Sequence, residues 1–265
     1  MDIFSSKDYW ENRLKENFGL HGTGFIGLGI HYNNWMYKIR RRILLHKTKS
    51  LHLDFRNLDV LDVGSGTGFY IEIWKELRSK KIIGTDITNI VVEKLRQRYP
   101  TYEFHQIDIG TDDDIAKLGR QKFDVVSAFD VLFHIINDDG YEKAIKNIYS
   151  LLKHNGIFIF SDNFLHGNTI RSKHQVTRSL NVIEKTLIRN GFEIIERCPM
   201  FVLMNSPVDT TQRPIKMMWR FITKSIQYND KFGLIIGAIL YPLELMLVTL
   251  MKESPSTEMM ICRKS

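Results

Sequence analysis

Short apolar runs alternate with amphipathic stretches through the middle of the chain. Read with a period of two, the apolar runs predict strands at 58–63, 81–86, 102–107, 123–129, 156–161, 192–204 and 257–264. Read with a period of 3.6, the stretches between them predict helices at 67–79, 88–98, 112–118, 139–153 and 177–190. Alternation of this kind is typical of a mostly parallel sheet covered by helices on both faces. We therefore predict an α/β, doubly wound core over 51–204.

Two segments depart from this alternation. Residues 1–50 predict a helical leader, in which a glycine-rich stretch separates the amphipathic "KDYWENRLKEN" from "WMYKIRRRILL". Its glycines, with Tyr32, Trp35 and Tyr37, suit a lid that closes over a site, although a static helical cap has the same composition. Residues 205–256 predict a helical insertion, and 257–265 returns to the core as the last strand.

The insertion contains "FGLIIGAILYPLELMLVTLM", residues 232–251, which is long and apolar enough to cross a membrane. Pro242 and Glu244 interrupt its middle, and the strand after it must rejoin a sheet formed by earlier strands. The preceding helix places Lys216, Arg220 and Lys224 on one face, and Ile215, Met218, Ile222 and Ile226 on another. We predict an apolar cap with peripheral membrane-surface contact through 213–251. A buried subdomain or a homodimer contact is the alternative.

Composition restricts the compartment and the partners. The 265 residues carry a formal charge of +7, which suits an anionic partner or a merely basic enzyme, so nucleic acid is not favoured on charge alone. Cys198 and Cys262 are far apart, which indicates a reducing compartment without a disulfide framework. The first residues lack a basic and apolar leader pattern, and no signal peptide is expected. These features predict a cytoplasmic protein whose contact with a membrane, through 213–251, is peripheral.

The stretch "VLDVGSGTG" carries the most specific chemical signal. An apolar strand ends at Asp62, and Gly64, Gly66 and Gly68 follow before a helix begins. Glycines at such a junction let the backbone approach a ligand where a Cβ would collide. A dinucleotide fingerprint would require glycine at position 69, where this chain has Phe69. The spacing instead favours a nucleoside that carries an amino-acid tail.

Acidic residues end the next strands in turn. Asp86 ends "KIIGTDI", Asp108 ends "FHQIDI", and Phe129 with Asp130 ends "FDVVSAFD". Any one of these carboxylates alone is more typical of a turn or a helix cap. Because parallel strands end at one edge of a sheet, three in succession indicate a ligand site there.

These motifs, with "GIFIFSDNF" and "TEMMICRK", resemble those of class I S-adenosylmethionine-dependent methyltransferases. The resemblance implies a seven-stranded sheet of order 3-2-1-4-5-7-6 with the last strand antiparallel. It also implies S-adenosylmethionine as cofactor. In this chain the implied cofactor residues are Asp62, Gly64, Ser65, Gly66 and Gly68 for the methionine part, Asp86 beside Ile87 for the ribose, Asp108 and Ile109 for the adenine, and Phe129 along the passage to the methyl group.

A hydroxyl acceptor would require a general base in such an enzyme. His134, five residues after Phe129, is the first candidate, and His166 and His174 compete with it. His174 and Arg178 are candidates for binding the acceptor. The alternatives are a packing or capping role for His134 and a solvated basic loop around Arg178.

The acceptor class is only partly restricted. The (N/D)-P-P-(aromatic) motif of amino-group base methyltransferases has no counterpart in "AFDVLFHI", which disfavours that class. Asp138 and Asp139 do not make an assembled metal site, and no metal is predicted. We predict O-methylation of a small-molecule or lipid-linked acceptor. N-methylation of a small amine, or a methyltransferase-like scaffold that binds the cofactor without turnover, stays open.

Overall fold

A seven-stranded sheet lies at the centre of the computed structural model, which describes residues 4–265. The strands in chain order are β1 (Asp59–Val63), β2 (Lys81–Asp86), β3 (Glu103–Gln106), β4 (Phe123–Phe129), β5 (Leu152–Asp162), β6 (Ile170–Arg171), β7 (Val176–Thr177), β8 (Phe192–Pro199) and β9 (Glu258–Lys264). The sheet order is β3-β2-β1-β4-β5-β9-β8, and β6 and β7 form a separate hairpin. In this sheet β9 runs antiparallel to both of its neighbours, β5 and β8, and the other neighbouring strands are parallel. The predicted fold class and strand order are confirmed.

Ten helices accompany the sheet within residues 4–265. They are α1 (Ser6–Glu16), α2 (Leu20–Thr23), α3 (Gly29–Ser50), α4 (Phe69–Glu76), α5 (Asn89–Arg98), α6 (Asp112–Ile115), α7 (Asp138–Leu151), α8 (Leu180–Arg189), α9 (Arg213–Tyr228) and α10 (Lys231–Leu250). The strand expected over 192–204 was too long, because it ends at Pro199. Beyond it, the N–H groups of Met200 and Phe201 both donate to the carbonyl of Thr257 and leave the sheet ladder.

Each face of the sheet has its own apolar core. On one face, α3, α4, α5 and α9 bury side chains such as Ile39, Trp74 and Ile222. On the other face, α7 and α8 bury Ile148 and Leu187. A fully buried side chain of this size contributes about 1.5–3 kcal/mol relative to exposure. The two cores hold the carboxyl ends of the strands at one edge, where a ligand site is expected.

The predicted leader contains α1, α2 and α3, and its residues 1–3 lie outside the described residues. Glu11 of α1 accepts the N–H groups of Asn89 (2.7 Å) and Ile90 (3.2 Å) at the start of α5. A carboxylate at a helix N-terminus is favourable because the first N–H groups have no partner within the helix. The contact fixes α1 beside the edge of the sheet where the strands end.

The helix α9 packs on the protein through the apolar face that the sequence pattern predicted. Its Trp219, Ile222 and Ile226 are buried, while Met217 and Phe221 are exposed. The sequence pattern therefore identified an apolar face correctly, and of the two neighbours that it left open, the membrane and the protein, this face contacts the protein. The exposed apolar residues lie elsewhere on the helix.

The helix α10 packs closely along α3. A Cβ at Gly233 would lie 3.0 Å from Tyr32 Cβ, and one at Gly237 would lie 2.2 Å from Trp35 Cδ1. Further along, the buried carboxylate of Glu244 accepts the N–H groups of Val202 (2.6 Å) and Leu203 (2.8 Å). Burial raises the pKa of Glu244, and these N–H groups oppose that shift. The acid inside an apolar helix thus satisfies backbone groups of the neighbouring loop.

By length and mean hydropathy (2.0), α10 passes the test for a membrane span. Core helices of soluble proteins also have this length and hydropathy, but they are mostly buried, whereas only 17% of this segment is buried within residues 4–265. Here the face with Gly233, Gly237 and Glu244 is buried against the protein, and β9 enters the sheet shortly after the helix ends. We therefore describe α10 as a packed helix with one apolar face left exposed.

Candidate functional site

A cavity of about 650 Å³ lies at the carboxyl ends of β1, β2 and β4. Volumes in this range hold small-molecule ligands in other proteins. The leader closes it from one side through Ser6, Trp10, Thr23 and Tyr37. The sequence-predicted residues that line it are Gly64, Ser65, Gly66, Asp86, Ile87, Asp108, Ile109, Phe129 and His134. The structure therefore brings most of the predicted site together.

The loop after β1 depends on its three glycines. Gly64, Gly66 and Gly68 have φ values of 71°, 52° and 82°. Residues other than glycine rarely adopt this region of backbone conformation. Neighbours are also close, since a Cβ at position 64 would lie 2.3 Å from Val131 Cγ2. Gly68 does not line the cavity and is the N-cap residue of α4. The loop thus presents backbone, without side chains, to the cavity.

Asp62 lies beneath this loop and is not part of the cavity lining. Its Oδ1 accepts a hydrogen bond of 2.7 Å from Ser127 Oγ. Its Oδ2 is buried and has no hydrogen-bond partner among residues 4–265. Burial raises the pKa of Asp62 to about 6. A buried carboxylate oxygen without a partner is costly, which is typical of a group that serves a ligand or a bound water.

Asp86 joins the glycine loop to the end of β2. One carboxylate oxygen accepts the N–H of Gly66 at 3.0 Å, and the other accepts the N–H (3.0 Å) and the hydroxyl (2.8 Å) of Thr88. Burial raises the pKa of Asp86, and these hydrogen bonds oppose the shift. Each carboxylate oxygen has about two acceptor positions, so Asp86 can hold the loop and also bind a ligand hydroxyl.

The third strand end supplies a mainly apolar wall. Ile107 and Ile109 line the cavity and are buried. Asp108 also lines it, and its Oδ1 accepts the N–H of Gly110 at 2.9 Å. The amide of Asn147 donates to the carbonyl of Ile109 at 3.0 Å and fixes the backbone there. This combination fits a flat, partly polar ring.

Two aromatic residues that sequence reasoning did not single out, Tyr70 and Trp10, complete the wall beside Phe129. The rings of Tyr70 and Phe129 stack with centroids 4.0 Å apart, and both residues line the cavity. Trp10 of α1 lines it from the leader side. Of the three leader aromatics named from the sequence, Tyr37 faces the cavity, whereas Tyr32 and Trp35 contact α10.

Asp130 is a further cavity residue that sequence reasoning did not assign. It has a φ of 57°, which is uncommon for a residue other than glycine. Its carboxylate accepts a hydrogen bond of 2.8 Å from Ser161 Oγ and forms an ion pair with Arg40 of α3. The sequence "AFD" at the end of β4 gives no indication of this ion pair, because Arg40 lies 90 positions earlier in the chain.

His134 lies at the cavity wall, in contact with α1 of the leader. Its Nδ1 is 3.1 Å from the carbonyl oxygen of His174, and its ring meets Trp10 edge-on at 4.8 Å. Because a carbonyl can only accept, Nδ1 carries the proton and Nε2 is an acceptor in the neutral ring. Burial lowers the pKa of His134 to about 4, so the ring is neutral near pH 7.

The other predicted polar residues do not line the cavity. His166 bonds Asp209 at 2.5 Å, which raises its pKa, and its other nitrogen faces Glu253 at 3.5 Å. Arg178 is 2% exposed and donates to Asp138 and to the carbonyl of Ile135, both at 2.9 Å. Arg178 therefore has a structural role in the loop after β4.

His174 contributes its carbonyl to His134, and its ring stacks on Tyr9 with centroids 5.5 Å apart. Among residues 4–265, no group of three His, Cys, Asp or Glu side chains could hold a metal ion.

Comparison with known sequences agrees with this geometry. Residues 61–158 match the family model of a methyltransferase domain. A carboxy-S-adenosyl-L-methionine synthase of Nautilia profundicola is 30% identical over 110 residues, which are 41% of this chain and 46% of that protein. A demethylmenaquinone methyltransferase of Chlorobaculum parvum is 26% identical over 130 residues, 49% of this chain and 51% of that protein. The matches thus span about half the length of these relatives.

Solved structures resemble the chain over its whole length. The magnesium protoporphyrin IX methyltransferase of Synechocystis PCC 6803 with bound S-adenosylmethionine covers 100% of both chains with a TM-score of 0.57 and 15% identity. The N-methyltransferase NodS of Bradyrhizobium japonicum WM9 with S-adenosyl-L-homocysteine covers 99% of both, with a TM-score of 0.56 and 12% identity. At such low identity the likeness concerns the fold. Residues 61–158 therefore carry the matched methyltransferase domain, and the chain as a whole has the fold of these S-adenosylmethionine-dependent methyltransferases.

Proposed function

We propose that the protein transfers a methyl group from S-adenosylmethionine to a hydroxyl of a small-molecule or lipid-linked acceptor. One observation carries the proposal: a single cavity combines the glycine loop and Asp86 with a neutral histidine whose Nε2 forms no hydrogen bond within residues 4–265. The leader closes the same cavity through Trp10 and Tyr37. A cytoplasmic location remains a prediction from the sequence.

The cavity residues fit the parts of this cofactor. The glycine loop would hold the methionine part, and the unpartnered Oδ2 of Asp62 would accept its ammonium directly or through a water. Asp86 would bind the ribose hydroxyls, and Ile109 with Asp108 would enclose the adenine. The faces of Phe129 and Tyr70 attract a cation, which suits the positive sulfur. When bound, the cofactor supplies an activated methyl group that leaves a neutral thioether.

The chain's own contribution is alignment, exclusion of water and removal of one proton. His134 Nε2 would accept the proton of the acceptor hydroxyl, while Nδ1–H keeps its bond to the carbonyl of His174. That carbonyl orients the ring and stabilises the imidazolium that forms. Trp10 and the rest of α1 would shield this step from solvent.

The low pKa of His134 favours an acidic hydroxyl as the acceptor. An imidazole ring with a pKa of about 4 is a weak base. Each pKa unit by which the acceptor hydroxyl exceeds this value adds about 1.4 kcal/mol to the free energy of complete proton transfer to the ring. A phenol has a pKa of about 10, like the tyrosine side chain. An alkyl alcohol is closer to water, which has a pKa of about 15.7. We therefore infer that a phenolic or enolic hydroxyl is a better acceptor than an alkyl alcohol.

N-methylation of a small amine is the second candidate. An amine nucleophile can enter with its lone pair free and needs less from a base, so His134 would be dispensable. The likeness to NodS, an N-methyltransferase, favours keeping this candidate.

Product analysis tests the proposal. Purified protein is incubated with S-adenosylmethionine and separate phenol, alkyl alcohol and amine panels, and S-adenosylhomocysteine and product masses are recorded. We expect turnover mainly with phenols. Methylated amines alone would support the second candidate. Cofactor binding without S-adenosylhomocysteine from any panel would support a binding scaffold and contradict the proposed transfer.

A further inference from the structure

The helices α9 and α10 expose an apolar surface that has no neighbour within residues 4–265. We call it the cap face and define it by Met217, Phe221, Ile235, Ile239, Leu243 and Met246. Phe221 is 71% exposed and Ile239 is 68% exposed. Where the two helices meet, the rings of Tyr228 and Phe232 stack with centroids 6.5 Å apart. Exposed apolar patches of this extent mark sites of interaction.

The cap face is not needed to hold α10 in place. Gly233, Gly237 and Glu244 already attach the helix to α3 and to the loop after β8. Ile235, Ile239 and Leu243 follow at intervals of four, on the side that these contacts leave free. A stripe of large apolar residues on the free side of a helix therefore requires a partner outside this fold.

Basic residues lie on α9, the helix that contributes Met217 and Phe221 to the cap face. Arg213, Lys216, Arg220 and Lys224 are exposed on α9, and none of them forms an ion pair within residues 4–265. Between residues 213 and 252 the acids are Asp230 and Glu244, and Glu244 is fully buried. Apolar side chains bordered by unpaired cations are complementary to a bilayer with anionic headgroups.

The leader connects the helix α9 to the cavity. Phe25 is 43% exposed and stacks on Trp219 of α9 with centroids 6.2 Å apart. Two residues earlier, Thr23 lines the cavity, and its Cγ2 would lie 2.9 Å from a Cβ at Gly66. Trp219 lies on the buried side of α9, whereas Met217 and Phe221 lie on its exposed side, so the leader supports this helix from the side opposite the cap face.

We propose that the cap face binds the surface of an anionic lipid bilayer, with α10 lying in the headgroup region and not crossing it. Bilayer binding itself does not depend on the proposed methyl transfer, so the two can fail separately.

Vesicle flotation tests this proposal with the full chain. Phosphatidylcholine vesicles are compared with vesicles that also contain phosphatidylglycerol, at low and high salt. We expect binding to the anionic vesicles that weakens with salt. The combined variant Lys216→Glu, Arg220→Glu and Lys224→Glu should bind at least about tenfold more weakly, and Phe221→Ser with Ile239→Ser should also lose binding.

A matched variant separates position from net charge. Arg120→Glu, Lys146→Glu and Lys185→Glu change three exposed cations away from the cap face, two of them on α7 and α8 across the sheet. This variant should bind vesicles like the natural chain. S-adenosylmethionine affinity, measured by calorimetry, should be the same in all variants and shows that each is folded.

Three results would overturn the proposal. One is a protein that stays in solution with both kinds of vesicle. Another is equal loss of binding in the control variant, which would indicate attraction by net charge alone. The third is a concentration-dependent dimer in sedimentation that Phe221→Ser with Ile239→Ser converts to monomer, which would assign the cap face to a second copy.

Discussion

Arg40 of α3 and Asp130 after β4 form an ion pair that connects the leader to the cavity wall. The side chain of Arg40 is only 6% exposed, and its guanidinium lies over the aromatic rings of Tyr37 and Phe201. The nearby Asp130 raises the pKa of Arg40 despite its burial. The pair therefore holds together two parts of the chain that both contact the cavity.

Removing this arginine should destabilise the fold. Arg40→Met leaves Asp130 without its cation, and we expect the free energy of unfolding in urea to fall by about 3 kcal/mol. Arg41→Met is the matched control, because the pair of Arg41 with Glu76 lies at the surface and should contribute less than about 1 kcal/mol. Equal effects of the two substitutions would contradict a special role for Arg40.

Asp86 should contribute to cofactor affinity. Asp86→Ala removes the acceptor for Gly66 and for the proposed ribose hydroxyls, so we expect S-adenosylmethionine binding to weaken by about 1–3 kcal/mol in calorimetry. Asp112→Ala, an exposed acid at the start of α6, serves as control. NADH should not compete in either protein. Unchanged affinity in Asp86→Ala would remove this residue from the proposed site.

His134 should matter for hydroxyl acceptors and not for cofactor binding. His134→Gln lacks the proton acceptor, and we expect kcat with a phenol to fall about 10²- to 10⁴-fold. His166→Gln should keep the natural rate, because His166 lies outside the cavity. Turnover that stays normal in His134→Gln would show that another group, or no group, removes the proton.

The same histidine should make stability depend on pH. The pKa of His134 in the folded chain is about 4, below the ordinary value of 6.5. Between these pH values the unfolded chain binds a proton at this residue and the folded chain does not. The free energy of unfolding should therefore decrease as pH falls from about 6.5 towards 4, by about 1–3 kcal/mol from this group. In denaturation curves His134→Gln should lose this part of the slope, whereas substitution of the exposed His154 should keep it.

Glu11 should hold α1 over the cavity. Glu11→Ala removes the acceptor for the N–H groups of Asn89 and Ile90, and we expect faster hydrogen exchange in α1 and a higher KM for the acceptor. Glu16→Ala, an exposed acid on the same helix, is the control. If α1 exchanged slowly in both variants, the lid role would fail and α1 would be a static part of the wall.

Local patterns predicted the parts of this molecule that depend on neighbours in the chain. The strands at 81–86 and 123–129 have the predicted bounds, and the acids at their ends lie at the cavity. A strand end can be read from the sequence because apolar periodicity stops there. The glycine loop was predictable for a related reason, since its backbone conformation excludes other residues.

Contacts between distant segments could not be predicted in this way. An isolated Arg178 gives no sign that it is buried over Tyr141, with its guanidinium 3.9 Å from that ring. Glu244 looks like an interruption of a membrane span until its partners in the loop after β8 are known. Periodicity reports which face of a helix is apolar but not what covers it, which is why the sequence left both a membrane and the protein open as neighbours of the buried face of α9.

The pairing of β8 with β9 has a consequence for how the chain can change in length. These neighbouring strands are antiparallel, yet residues 200–257 lie between them where a short hairpin loop would be sufficient. Loop-closure entropy grows only logarithmically with length, so this connection costs about 2 kcal/mol more than a loop of about six residues. Sequences of very different length can therefore be exchanged at this point without loss of the sheet. The limit on such an exchange is the apolar surface of α3 that a shorter connection would expose.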